Sequence, residues 1–416
     1  MTEWMLLISA FLLPTIHACR RSVDFGRIRI DHVTLFSLGF IFYWVTPIAA
    51  GFLLSADFMP AMWTGLFDSR WVINYLTAVI IIYAAFIAGD QLGIRVFRKK
   101  EGRHKGLSPQ ILALFSGGAF LVFLAEIAVH RAALLAPYTT DLSDQTERGN
   151  VTAWVVLLGS VVFLRISSRP RFTLLMLPFA AGALFLVLIG SRLYVASFVL
   201  MFGAFRSLYV RPFSKKQVVL SGLLAVALFG TVGAFRGDSP ITYAGRNVLL
   251  EPVFTSVSLV YFLRYDHMAW LALPKYLASD FCNLIPSAVF PGKASLINTP
   301  EVFNPLGALH SFVSFNFNFG LIGTTVVMFL LPMGLRWVKA RDGSPLYRTM
   351  YVMLSGWLAF TFFRDPFSVS IVKTMVQHSI LLPAAIVAFV RLAEIAGQNA
   401  LPFANGTLLH KHSAPD

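Results

Sequence analysis

The chain has 416 residues, 57% of them hydrophobic and only 13% charged, with a mean hydropathy of +0.71. A soluble protein of this length carries about twice that charged fraction, so a water-soluble globular enzyme is excluded. The net charge of +14 follows from membrane topology and attraction to anionic headgroups, and calls for no nucleic-acid partner.

Apolar runs of the roughly 20 residues needed to cross a bilayer recur along the whole length. Backbone groups in lipid must pair within their own segment, and these runs are too long and unbroken for a β-barrel, so they predict helices. In chain order the predicted spans are 2–18, 33–54, 72–94, 108–129, 151–166, 172–190, 193–210, 218–235, 311–335, 349–363 and 373–390. That makes an all-α polytopic integral membrane protein of about eleven transmembrane helices, or twelve if residues 248–263 also cross rather than lie in the interface. The organisation expected is spans one to eight over 1–235, a long loop with interfacial helices over 236–310, spans nine to eleven over 311–391, and a disordered tail over 392–416.

The run from Met1 lacks a basic region before its apolar stretch and is followed by Arg20 and Arg21, so it reads as a retained span and not a signal peptide. Basic clusters then mark alternate connections: Arg20 to Arg29, Arg95 to Lys105, Arg165 to Arg171, Arg206 to Lys216, and Arg336 to Arg348. Short basic loops stay cytoplasmic, which sets the N-terminus outside and the C-terminus inside. Cys19 and Cys282 then fall on opposite sides and form no disulfide, and no paired-cysteine metal site exists.

The polar residues at the outer ends of the spans carry the chemistry, since charges at membrane depth are functional hypotheses by default. Glu126, near the outer end of span four, reads as an ion-pair partner for an arginine or as a base. Gly190-Ser191-Arg192 turns span six directly into span seven and puts Arg192 at headgroup depth, where a guanidinium either snorkels or binds phosphate bidentately. Arg236-Gly237-Asp238 leaves span eight, and Arg246 and Arg264 follow with Glu251 between them. His310 opens span nine, followed by Asn316 and Asn318; it reads as a base, a phosphate contact or a helix anchor. Phe363-Arg364-Asp365-Pro366 fills the short loop before the last span, with Lys373 and His378 after it; His378 reads as a packed polar residue. Together these make an anion clamp beside aromatic faces (Tyr243, Tyr261, Tyr265, Trp270) suited to sugar rings or an isoprenoid.

The order of GSR at 190–192, RGD at 236–238, HSFVSFNFNFGLIG from His310 and RDPF at 364–367 resembles the oligosaccharide repeat-unit polymerases, the Wzy-type O-antigen polymerases. The similarity runs from span two to span eleven. It implies a glycosyltransferase-C-like, metal-independent enzyme of the bacterial inner membrane that needs no cofactor. It further implies that undecaprenyl-diphosphate-linked repeat units are polymerised on the periplasmic face, with membrane lipid and a chain-length regulator as partners. On that reading Arg192, Arg236, Arg246 and Arg364 hold the donor diphosphate. His310 is the first candidate base and Glu251 the second, and Arg264, Glu126 and Asp365 support them. The related O-antigen ligase, and a lipid-linked-oligosaccharide flippase, are the alternatives; near absence of charge at midspan argues against the flippase.

Overall fold

The structure, a computed structural model, describes residues 1–24, 27–53, 69–99, 106–135, 142–168, 173–189, 191–223, 244–265, 268–274, 276–282, 285, 289–290 and 309–406. Among the described residues, seven helices are long and apolar enough to cross a membrane: Thr2–Ser22, His32–Leu53, Trp71–Val96, Pro109–Ala132, Arg148–Ser168, Ser311–Lys339 and Ser368–Ala396. The chain is therefore a mostly helical, polytopic membrane protein.

Helix α1 covers Thr2–Ser22 and α2 covers His32–Leu53. The Asp31 carboxylate caps α2, accepting from the Val33 and Thr34 amides at 3.0 and 3.1 Å. The middle of α2, Phe40–Val45, is wound as a π-helix. α3 is Ser69–Val96, α4 Pro109–Leu135 and α5 Leu142–Ser168. Proline opens α4 because its missing N–H has no helical partner there in any case. The sixth and seventh predicted spans form a pair of shorter apolar helices, α6 (Met176–Leu188) and α7 (Arg192–Tyr209). Three two-residue strands, Val23–Asp24, Arg27–Ile28 and Phe213–Ser214, pair antiparallel in that order where α1 and α7 end.

Most of predicted span eight, from 224 on, lies outside the described residues, as do 236–243 and 291–308 of the long loop. The ambiguous stretch 248–263 falls within helix α8 (Ala244–Tyr265), whose Val253, Val257, Val260 and Phe262 are buried against the bundle. A short α9 (Leu277–Cys282) follows. α10 (Ser311–Lys339) is one long element broken at Gly320, which adopts φ 63° and ψ −173°. The predicted span 349–363 divides into α11 (Pro345–Trp357) and the one-turn α12 (Thr361–Arg364). The last element, α13, starts as a π-helix over Ser368–Leu381 and continues as an α-helix over Leu382–Gly406. The tail expected to be disordered from 392 is thus helical as far as Gly406, since Leu392, Ala393, Glu394, Ile395 and Ala396 are all helix-compatible.

Lipid tails are as apolar as leucine, so close backbone approach and tight contact hold such a bundle together more than exclusion from water does. The main seam is α3 against α10. A Cβ at Gly89 would overlap the Phe329 carbonyl, and one at Gly93 would lie 2.9 Å from the Arg336 Cβ. A first core gathers Phe36, Phe40, Trp44, Tyr83 and Phe86 with Phe312 and Phe363, and Phe36 stacks on Phe86 with centroids 3.8 Å apart. A second gathers Phe123, Phe163, Phe198, Met201 and Trp357, between α4, α5, α7 and α11. Gly89→Val should force the α3–α10 seam apart and cost at least ~1–3 kcal/mol as overpacking; a clearly lowered Tm in detergent checks it.

Candidate functional site

Charged side chains collect at both ends of α10. At the His310 end, Arg364 is the last residue of α12, which Phe362 and Phe363, both wholly buried, press into the first core. Its Nε donates to Glu251 Oε1 of α8 at 2.8 Å, and its Nη1 donates to Asp365 Oδ1 at 2.9 Å. Its side chain is 28% exposed. Burial alone would lower its pKa, but Asp365 and Glu251 outweigh it and hold the guanidinium charged. For Asp365 burial dominates, and its pKa is raised despite Arg364.

A further cation acts on this trio. Lys373 of α13 acts electrostatically on Asp365, and its Nζ would lie 3.6 Å from a Cβ at Gly149. The neighbouring Arg148 is buried in α5 and donates to the Ile189 carbonyl at 3.4 Å. α12 packs against α7, and Tyr194 of α7 lies within electrostatic reach of Arg364 and Asp365. Arg192 is the first residue of α7, and Arg246 precedes Glu251 by somewhat over one turn of α8. Arg236 lies outside the described residues.

Other expected members stand apart. Arg264 is exposed, its guanidinium 5.6 Å from the Tyr265 ring centre, and follows Glu251 by more than three turns of α8. Glu126 of α4 accepts from Asn150 Nδ2 at 3.5 Å and lies 4.0 Å from His130 Nε2, so its partners are an amide and an imidazole in place of the expected arginine. His378 is buried, as a packed polar residue should be.

His310 is wholly buried and caps α10. Its Nδ1 accepts from the Phe312 amide and its Nε2 donates to the Tyr43 carbonyl, both at 3.3 Å; these partners assign the neutral Nε2–H tautomer. Its own amide donates to Ser258 Oγ at 3.0 Å, and Trp44 stacks beside the ring. Trp44 Nε1 donates to Ser311 Oγ, which donates to the Phe363 carbonyl. Both ring nitrogens are engaged within the fold, so the geometry matches the helix-anchor reading, and His310 ties the start of α10 to α2 and α8.

At the opposite end lies a second cluster that sequence reasoning missed. Asp90 of α3 is fully buried and accepts from Arg336 Nε at 2.6 Å and His32 Nε2 at 3.1 Å. Arg21 Nε stands 3.6 Å and His17 Nε2 3.8 Å from its other oxygen. Tyr351 lies 2.7 Å from His32 Nδ1, and Tyr83 links His17 to Ser37 at 3.3 and 2.6 Å. Asp31 stands 4.0 Å from Arg336; burial would raise its pKa, but His32, Lys339, Arg336 and the Thr34 amide prevail and lower it. The cluster sits within two turns of the ends of α1, α3 and α10. A carboxylate closing the run Phe86-Ile87-Ala88-Gly89-Asp90 was the available signal.

Comparison with family models, curated proteins and solved structures finds no match for this chain.

Two predictions follow the geometry. Asp90→Leu removes the hydrogen-bonded partner of buried Arg336, leaving only Asp31 at 4.0 Å, and should cost ~3–5 kcal/mol, whereas Asp90→Leu with Arg336→Met should lose much less; thermal denaturation of the three proteins in detergent measures this. Burial pushes the His310 pKa from its ordinary 6.5 down to about 3. The neutral ring thus contributes stability that is complete above pH 6.5 and is lost as pH falls from there toward 3. In His310→Asn, which keeps a capping oxygen, the decline in Tm over that pH interval should be visibly shallower than in the native protein.

Proposed function

We propose that the Arg364 cluster holds the diphosphate of a lipid-linked oligosaccharide, and that the protein is a metal-independent glycosyltransferase polymerising undecaprenyl-diphosphate-linked repeat units. The observation that carries this reading is the partly open Arg364, fixed by Glu251 and Asp365 and flanked by Lys373 at one end of the bundle. Arg192 and Arg246 open the two helices that converge there. In this reading that end faces the periplasm, and the basic ends of α1, α3 and α10 face the cytoplasm.

The growing chain on its carrier is the donor, and a single repeat unit on its own carrier is the acceptor. An acceptor hydroxyl attacks the anomeric carbon as the bond from that carbon to the diphosphate oxygen breaks. Fixed cations stabilise charge developing on the departing diphosphate, where preorganised donors act most strongly. The hydroxyl proton passes to a carboxylate: Glu251 takes this role, because His310 has no free nitrogen, and Asp365 keeps Arg364 in place. The ligase alternative shares the same arginine logic, and the product formed separates the two.

The test is the lipopolysaccharide banding pattern of a host strain lacking this gene and complemented with variants at matched protein level. Native protein should turn a one-unit band into a ladder. Arg364→Ala should lower polymerisation by about 10²- to 10³-fold, the typical loss for one oxyanion donor, and Glu251→Gln should abolish it. A null strain with no O-antigen band at all points to a ligase or flippase, and an unchanged ladder removes O-antigen assembly.

A further inference from the structure

The break in α10 is filled by another part of the chain. A helix that breaks at Gly320 leaves the first amides of its second half without helical acceptors. Here the Leu321 amide donates to the Ala269 carbonyl at 2.9 Å and the Ile322 amide to the Trp270 carbonyl at 3.0 Å. On the other side of the break Asn316 completes the pairing. Its Oδ1 accepts from the Ala269 amide at 3.2 Å, and its Nδ2 donates to the Ala269 carbonyl at 3.4 Å. The backbone of Leu271 and Ala272 lies directly on Gly320: a Cβ there would be 2.7 Å from the Leu271 Cα and 2.8 Å from the Ala272 nitrogen. Only glycine accommodates both the positive φ and this approach.

The depth of this contact follows from α10 itself. Its 29 residues extend roughly 43 Å, against a hydrocarbon core of ~30 Å. With α10 centred, or with Trp337 and Arg336 set at the far interface, Gly320 lies roughly 5–8 Å inside the hydrocarbon. Irregular backbone is tolerated at that depth only where its polar groups are satisfied by protein, and the pairing above does so for Ala269 and the Trp270 carbonyl. The side chains do the opposite of what a water-facing loop requires: Trp270, Leu271 and Leu273 are 71%, 73% and 79% exposed. The neighbouring Ile322 on α10 is also exposed, as a lipid-facing residue.

We infer that residues 268–274 form a re-entrant segment immersed in the bilayer, splinted into the break of α10, with Trp270, Leu271 and Leu273 against lipid acyl chains. This holds whatever reaction the protein performs.

The test uses full-length protein with Cys19→Ser and Cys282→Ser, reconstituted in phosphatidylethanolamine–phosphatidylglycerol vesicles. Nitroxide labels are placed singly at Trp270→Cys, Leu273→Cys and, as a water-exposed reference, Lys99→Cys. Labels at 270 and 273 should collide with oxygen several-fold more often than with a water-soluble nickel chelate, and the label at 99 should show the reverse. Chelate accessibility at 270 and 273 equal to that at 99 overturns the inference. So does shielding from both reagents, which would mean that protein covers this face. Gly320→Ala should shift the 273 label toward the aqueous phase. Asn316→Leu, which removes the amide pairing without touching the break, should do so to a smaller degree. Unchanged depth in both variants would overturn the splint.

Discussion

The contact of α3 with α10 is the constraint on which the bundle depends. Two glycines let the backbones approach, and the seam is closed at one end by the Asp90–Arg336 pair. At the other end, Tyr75 of α3 donates to the Trp44 carbonyl and Trp44 reaches Ser311, the first residue of α10. Neither closure is a surface ion pair that salt would screen. Each joins α2 to the seam as well, through His32 and through Tyr43, so three helices are held in register at both ends.

This arrangement explains why buried charge and site charge look different here. Asp90 itself is fully buried, with two hydrogen-bonded partners on one oxygen and the Arg21 guanidinium and His17 ring near the other. Arg364 is paired with Glu251 and Asp365, Lys373 acts on Asp365, and the Arg364 side chain stays 28% exposed. Composition cannot separate the two, since both consist of arginines and carboxylates near the ends of spans.

Much of the span pattern was legible from hydropathy alone, because a membrane span is a local property of about 20 residues. The pairing of α6 and α7 and the helix at 244–265 were legible for the same reason. The broken α10 was not: Gly320 inside FNFNFGLIG looks like any small residue in a span, and its positive φ follows from a segment fifty residues earlier. In the site, Arg364, Asp365 and Glu251 were visible as charges in an apolar chain, but their mutual contact spans over a hundred residues. Arg148 was missed because DLSDQTERGN reads as a soluble loop, although the helix begins at Leu142. His310 was left open between a base, a phosphate contact and a helix anchor because the residue type fits each, and only the placement of Phe312 and Tyr43 shows both ring nitrogens engaged.

The break at Gly320 also changes what α10 can transmit. A continuous helix would behave as a rod, and a tilt imposed on Ser311 near Arg364 would reach Arg336 at the far end. With its hydrogen-bond ladder interrupted, α10 consists of two shorter levers that meet at a hinge stiffened by Ala269 and Trp270. A tilt of the first lever is therefore not carried along a continuous helix axis to Arg336.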